Sequence, residues 1–441
     1  MNEGRSNSLS VIYKKLDELI SSPCNGRTHS KGQIRQISRS IETFGFLSPI
    51  LTDSQDVIIA GHGRAAAARA LGMSSVPTVP IEHLSPDQIR AFMIADNRIA
   101  QNAGWDESIL AIEFQHLLSL DTTFDITTTG FEIPEIDLII EGTDLKVDAE
   151  DTFESPRESS VSSLGDLWLL GKHRIFCGSA LERASFVNVM ANRKANLAFL
   201  DPPYNIRIDG NVSGKGAIRH GDFAMASGEM TTQQFTDFLT NSLQSAAAFS
   251  VDGSIHFVCM DWRHLGEVLA AGERAYDSLL NLCVWAKDKG GQGSFYRSAH
   301  EFVFVYRNGK HRHRNNIQLG QFGRYRTNVW NYPGVSTLCR QGHEGNVLAF
   351  HPTVKPIAMV ADAMLDCSAR GDVVLDSFLG SGTTLIAAER VGRVCFGIEL
   401  NPLYVDVAIR RWQQHTGNDA IHSGSGKTFR ESAPVAEDNN A

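Results

Sequence analysis

Asp201-Pro202-Pro203-Tyr204 sets a carboxylate and an aromatic ring three positions apart across two prolines, directly after the apolar run Leu197-Ala198-Phe199-Leu200. The run reads as a buried strand. Consecutive prolines donate no ladder hydrogen bonds, so the strand must stop there and the backbone beyond it is stiff. One carboxylate, the free Pro202 carbonyl and one aromatic face suit a flat heterocycle bearing an exocyclic amino group. The two oxygens can accept the amine hydrogens, and the ring offers stacking worth roughly 1 to 3 kcal/mol per base. A proline-rich turn with a helix-capping Asp would use the same four residues, so companion motifs must decide.

The companion lies downstream. Val373-Val374-Leu375-Asp376 reads as a second buried strand that runs through Ser377-Phe378-Leu379 into Gly380-Ser381-Gly382-Thr383-Thr384 and a helix. Glycines in such a turn let backbone approach a ligand closely. A third strand, Val394 to Ile398, ends at Glu399, where a carboxylate can take both hydroxyls of a ribose. The spacing departs from G-x-G-x-x-G and there is no Walker lysine, so the pattern favours a nucleoside cofactor over a pyrophosphate ligand. In an α/β sheet all these acidic ends face one crevice.

From Leu164 to Trp412 the chain resembles the S-adenosylmethionine-dependent amino-methyltransferases of DNA, in the permuted (β) order that puts Asp-Pro-Pro-Tyr before the cofactor loop. His351-Pro352-Thr353-Val354-Lys355-Pro356 matches the segment that opens the family's cofactor half, and Tyr404 to Trp412 matches its closing helix. The tracts around Phe295-Tyr296-Arg297 with His300-Glu301, and Arg324 to Trp330, are similar to phage-type members. The resemblance implies a Rossmann-like α/β methyltransferase sheet with helices on both faces and S-adenosylmethionine as cofactor. It assigns catalysis to Asp201, Pro202, Pro203 and Tyr204. It assigns cofactor contacts to Asp376, Phe378, Gly380, Ser381, Gly382, Thr383, Glu399 and Lys355, with Ser179 where the family carries an adenine-contacting Asp. A second departure is Ser377, where the family has Pro.

At 441 residues the chain is too long for one ordinary core, and two domains with a linker are expected. Residues 1–145 form the first. Within it, Ile34, Ile37, Ile41 and Phe44 recur at helical spacing before Gly45, and Ser85-Pro86-Asp87-Gln88 is a capping box. Gly61-His62-Gly63-Arg64 opens an alanine-rich helix, a start that can hold an anion. From Val11 to Glu141 the chain resembles the ParB amino-terminal domain, an α/β fold shared with sulfiredoxin, with His62 and Gly63 where ParB has Glu and Arg. A capping or solvated histidine is an equal reading for His62. Residues 146–163 have linker composition, 164–415 form the methyltransferase domain with a target-recognition insert around 287–345, and 416–441 read as a flexible tail.

The net charge of -9 argues against a uniformly basic protein, but a local basic face is enough for nucleic acid. Arg297, Arg312, Arg314, Arg324 and Arg326, interleaved with Tyr296, Tyr325 and Trp330, are the expected surface for double-stranded DNA. The glycine-rich stretch after Asn205 reads as a mobile loop over the site. Seven scattered cysteines without Cys-x-x-Cys fit reduced thiols, and no metal site is expected. There is no signal-peptide pattern and no membrane-length apolar run, so the cytoplasm is the expected location. A monomer and a homodimer are both open. The expected reaction is N6-adenine methylation of DNA within a restriction-modification setting. The alternatives are N4-cytosine methylation, RNA methylation, and a ParB-like DNA-binding protein whose methyltransferase domain is non-catalytic.

Overall fold

The computed structural model describes residues 9–120, 124–141, 159–205, 228–288, 290, 295–318, 324–334 and 354–433. The chain divides into two compact units, Met1–Gly142 and Thr143–Ala441.

The first unit contains β1 (Ile12–Lys15), α1 (Lys31–Phe44), β2 (Ile50–Thr52), β3 (Ile58–Ala60), α2 (His62–Ala70), β4 (Ser75–Pro80), α3 (Pro86–Asn102), α4 (Glu107–Ser119) and α5 (Ile133–Glu141). Its sheet has the order β1-β4-β2-β3, with β2 and β4 parallel. Alternation along the strands sends Ile50, Ile58 and Val76 to one face, under Ala65 and Ala68 of α2, while Ile59 and Val79 meet Met93 of α3 on the other. The expected signals hold: α1 ends at Gly45 in the left-handed region (φ 84°), and Ser85 and Gln88 exchange both capping-box hydrogen bonds.

The second unit contains β5 (Leu167–Leu170), β6 (His173–Cys177), α6 (Arg183–Met190), β7 (Ala195–Leu200), α7 (Thr232–Ala248), β8 (Ser250–Met260), α8 (Leu265–Ala275), β9 (Ser278–Ala286), β10 (His300–Asn308), β11 (Val329–Asn331), α9 (Ile357–Cys367), β12 (Val373–Asp376), α10 (Thr383–Arg390), β13 (Val394–Glu399), α11 (Pro402–Thr416), β14 (Ile421–His422) and α12 (Phe429–Ser432). The strands form one sheet in the order β11-β9-β10-β8-β7-β12-β13-β6-β5-β14. From β8 to β6 every pairing is parallel, whereas β10 runs antiparallel to both β8 and β9.

Leu197 and Phe199 of β7 pack with α9, α10 and α11 on one face; Ala198 and Leu200 pack with α6, α7 and α8 on the other. Burial on both faces explains why these strands read as continuous apolar runs. It also forces the polar residues to the strand ends, where the crevice lies.

The structure sharpens three boundary expectations. Within the stretch expected as a target-recognition insert around 287–345, the described residues include two strands of the sheet, β10 and β11: Phe302, Val303 and Phe304 fill the slot between β8 and β9. The tail is folded through Ala433. β14 pairs with β5, and Phe429 is buried edge-on against Trp168, which gives this polar stretch one apolar anchor. The last linker residues are pinned as well, since the N-H groups of Val161 and Ser162 donate to the Asp406 carboxylate at 2.7 and 3.0 Å. The glycine-rich stretch expected to form a mobile loop lies, from 206 to 227, outside the described residues.

Candidate active site

The strand direction collects Ser179 beyond β6, Asp201 beyond β7, Asp376 on β12 and Glu399 on β13 at one edge of the sheet. Because β10 is reversed, its first residues, His300 and Glu301, reach the same edge, beside the ends of β8 and β9.

The Asp-Pro-Pro-Tyr turn folds back on itself. The Tyr204 hydroxyl lies 2.8 Å from Asp201 Oδ1 and 3.0 Å from Glu301 Oε2, and its single proton can serve one of them at a time. Lys355 Nζ donates to Asp201 Oδ2 at 2.6 Å and to the Tyr204 hydroxyl at 3.1 Å, and sits 3.3 Å from Glu301 Oε2. Lys287 Nζ reaches Glu301 Oε1 at 2.5 Å, and both ammonium groups lie over the Trp285 ring. Burial raises the Asp201 carboxyl above its ordinary range, with Lys355 opposing and Glu301 adding to the rise. Glu301 is buried too, but the two lysines outweigh that and hold it down at about 2. Burial and the two carboxylates push the Tyr204 phenol well above its ordinary value, so it stays protonated. Pro202 is buried and Pro203 half-buried, which stiffens the turn. Beyond it, Asn205 is left-handed (φ 51°), and its side-chain oxygen accepts the N-H groups of Gly228 and Met230.

Next along the sheet, the Phe378 N-H donates to Asp376 Oδ1 at 2.9 Å, and burial with Asp201 and Glu399 nearby pushes Asp376 up to about 7. Glu399 uses one oxygen for the Gly380 N-H and the other for the Asn401 N-H, each at 2.8 Å, and burial raises it. Each oxygen keeps a further acceptor direction. Gly380 (φ 53°) and Gly382 (φ 86°) are left-handed, and a Cβ on Gly382 would lie 2.8 Å from that of Ala408, so this turn requires glycine. Arg411 braces it by donating to the Ser381 carbonyl and the Thr383 hydroxyl, both at 3.3 Å. Phe378 is half-buried near Phe238. Ser377 Oγ is buried without a hydrogen-bond partner among the described residues. Ser179 is half-buried, and its hydroxyl accepts the Leu181 N-H at 3.2 Å. Buried acids raised towards neutrality beside an unpaired hydroxyl and a close-approach glycine turn fit a cationic nucleoside cofactor.

Two arginines expected to meet DNA are engaged elsewhere. Arg324 is buried, with Nη2 at 2.7 Å from Asp366 and 3.1 Å from Asp362. Arg326 pairs with Asp366 and donates to the Tyr332 hydroxyl at 2.8 Å. Buried Asp366 and half-buried Asp362 hold both guanidinium groups, whereas Arg297, Arg312 and Arg314 are exposed. Lys355, expected among the cofactor contacts, has its ammonium on the Asp-Pro-Pro-Tyr turn. In the first unit, Gly61 caps α2 (φ 104°), and Arg64 donates to the Pro49 carbonyl at 3.2 Å with Asp96 near it. His62 Nε2 accepts the Ser22 N-H at 3.3 Å, which favours its structural reading, and Gly63 leaves room for His29.

A parallel sheet covered by helices on both faces, with a glycine turn and acids at its carboxyl ends, defines an S-adenosylmethionine-dependent methyltransferase fold. Residues 195–410 match the DNA methylase model of the N6/N4 family, residues 2–97 match the ParB N-terminal domain, and residues 108–164 match the ParB-methyltransferase HTH domain. Residues 195–410 are thus an N6/N4 DNA methylase domain, joined to a ParB-type amino-terminal region, and its cofactor is S-adenosylmethionine. It is 43% identical over 83 residues to the ParB-like nuclease domain-containing protein YnaK of Escherichia coli (strain K12), covering 19% of this chain and 95% of that protein. It is 34% identical over 95 residues to the type II methyltransferase M.ScaI of Streptomyces caespitosus, covering 22% of this chain and 31% of that enzyme. The solved complex of M1.HpyAVI with S-adenosylmethionine aligns over 54% of this chain and 97% of its own, at 18% identity and a TM-score of 0.38.

The helix-turn-helix match begins at residue 108, inside the first unit. A signal was present: Asp106 caps α4 by accepting the N-H groups of Ser108 and Ile109, the pattern of a new helix start. Among the described residues no helix is long and apolar enough to cross a membrane.

Proposed function

We propose that this DNA methylase transfers the methyl group to N6 of adenine in double-stranded DNA, acting in the cytoplasm. The observation that carries this reading is the turn itself, where the Asp201 carboxylate lies 2.8 Å from the Tyr204 hydroxyl beside the strand that bears Asp376. Adenine N6 is occupied in base pairing, so the base must leave the stack, at a cost of a few kcal/mol. Tyr204 receives the flipped ring. Asp201 and the Pro202 carbonyl accept the two amine hydrogens, which turns the nitrogen lone pair outward. When bound, S-adenosylmethionine supplies an electrophilic methyl on a sulfonium. The amine nitrogen, once methylated, would have to lose a proton, for which Asp201 is the nearest base. Asp376 would hold the cofactor's amino-acid end and Glu399 the ribose, and the Gly380-Ser381-Gly382 turn would allow close approach. Positioning and electrostatics supply the rate. Exposed Arg297, Arg312 and Arg314 meet phosphates.

The test is tritiated methyl transfer to DNA, followed by nucleoside mass spectrometry of the product. N6-methyladenine is expected from the wild type and none from Asp201→Ala. Full activity in the variant overturns the assignment of Asp201, and N4-methylcytosine as the product overturns the choice of base.

A further inference from the structure

Behind the catalytic turn lies a run of alternating charges. Lys287 meets Glu301 at 2.5 Å, Glu301 meets Lys355 at 3.3 Å, and Lys355 meets Asp201 at 2.6 Å. The side chains of Lys355 and Glu301 are 3% and 7% exposed, so the middle of the run is withdrawn from water, while Lys287 and Asp201 at its ends are 24% and 20% exposed. Ion pairs buried this deeply are weak stabilisers, and apolar residues of similar volume usually serve as well. Their placement against the acceptor of the target amine therefore calls for a role beyond folding.

We propose that Glu301 and Lys287 are positioning residues for methyl transfer, with Glu301 the alternative acceptor that takes over the Tyr204 hydroxyl and the Lys355 ammonium when a target amine occupies Asp201. This inference rests on Asp201 as the amine's acceptor.

In the structure, both Asp201 oxygens are already engaged, Oδ1 by Tyr204 and Oδ2 by Lys355. An arriving amine that takes the lone pair now used by Tyr204 or Lys355 displaces that donor. A buried donor left without an acceptor is costly, and Glu301 Oε2 removes that cost: it stands 3.0 Å from the Tyr204 hydroxyl and 3.3 Å from Lys355 Nζ. Lys287 occupies the other oxygen, Oε1, and so leaves Oε2 for the exchange while neutralising the added carboxylate. Two ammonium groups and two carboxylates make the run neutral. The backbone fixes it from both sides, because Glu301 pairs with Trp285 of β9 and its neighbour Phe302 pairs with Met260 of β8.

The exchange predicts opposite responses to pH. Asp201 is faced by Lys355, by Glu301 of β10, by Tyr204 of its own turn, by Cys259 of β8 and by Asp376 of β12, with Glu399 of β13 beyond Asp376. Burial keeps the Cys259 thiol protonated. Lys287→Met leaves one net negative charge in the run, which disfavours ionised Asp201 and moves the acid limb of kcat to higher pH. Glu301→Gln leaves one net positive charge and moves that limb to lower pH. It also lowers the plateau kcat about tenfold, because the amide oxygen is a poorer acceptor than a carboxylate. The double variant is neutral again, and its limb returns toward that of the wild type.

The experiment measures kcat against pH and KM for S-adenosylmethionine with the full-length protein, by tritiated methyl transfer to DNA, and monitors folding by the cofactor-induced thermal shift. Opposed limbs in the single variants, restoration in the double variant and KM within about twofold of wild type are expected. Limbs that both stay put, or both move the same way, in variants that keep the thermal shift overturn the proposal. Should Glu301→Gln fail to fold, Lys287→Met against Lys287→Arg decides: the neutral variant must move the limb and the charged one must not. Normal methyl transfer by the wild type with unmoved limbs in the variants sinks this inference alone. A wild type that transfers no methyl to DNA sinks the reading of Asp201 with it.

Discussion

Replacing Asp376 with Asn should make the free protein more stable at pH 8 while removing its response to cofactor. Asp376 is 3% exposed and its carboxyl is pushed from 3.8 up to about 7, chiefly by burial and further by Asp201 and Glu399. A carboxyl that holds its proton more tightly folded than unfolded favours the folded state at acid pH. That stability is lost as pH rises from about 4 to about 7 and is constant above. At 1.36 kcal/mol per unit, a shift of about three units corresponds to roughly 4 kcal/mol at pH 8, an upper bound because a strained site relaxes. Asn keeps the shape and the acceptor for the Phe378 N-H but cannot ionise. Its melting temperature should therefore exceed that of the wild type by several degrees at pH 8, at about 2 to 4 °C per kcal/mol for a unit of this size, and by little at pH 4.5. S-adenosylmethionine should raise Tm in the wild type, more at pH 8 than at pH 6, and leave Asp376→Asn unmoved. Differential scanning calorimetry at three pH values, with and without cofactor, reads all of this. A gain from Asp376→Asn that is equal at pH 4.5 and pH 8, or a normal cofactor shift in the variant, would refute the reasoning.

Lys355→Met should lower kcat by about 10²-fold or more, the scale for losing a charged group that sets up a catalytic acceptor, while the KM for S-adenosylmethionine stays near wild type; a selective rise in that KM would return Lys355 to the cofactor site. Arg324→Ala leaves Arg326 as the remaining guanidinium partner of Asp362 and Asp366 and should cost at most roughly 3 to 5 kcal/mol in urea unfolding, with an unchanged salt dependence of DNA binding in whatever fraction folds. Arg312→Ala, at an exposed position, should leave the urea midpoint alone and reduce the slope of log K against log salt by about one. Phe429→Ala removes the anchor of the carboxyl-terminal segment against Trp168 and should cost roughly 3 to 5 kcal/mol, with early proteolytic loss of residues beyond about Gly417 as the direct readout.

Local chemistry that completes itself within a few residues could be read from the chain. The proline stop after Leu200, the glycine turn at Gly380 and the capping box at Ser85 needed no partner from afar, and each stands where its own pattern puts it. The capping box at Thr231 and Gln234, which starts α7, was equally legible and went unread. What could not be read was pairing over distance. Lys355 lies 154 positions from Asp201, and no local pattern says which carboxylate its ammonium meets. Arg324 and Arg326 stand in a basic tract that looks like a DNA face until Asp362 and Asp366 arrive from α9. The tail misled for a related reason: composition averages over a window, and one phenylalanine can dock a segment that is otherwise polar.

The reversal of β10 separates two kinds of freedom at this end of the sheet. Asp201 and the Gly380 turn follow the ends of strands, so a change in loop length there can carry them along. Glu301 enters from the opposite direction and is hydrogen-bonded into its neighbours before any loop begins. Loops that choose a DNA sequence could therefore be exchanged between relatives while that carboxylate stays registered. Such exchanges offer a route to new sequence preferences on an unaltered chemical floor.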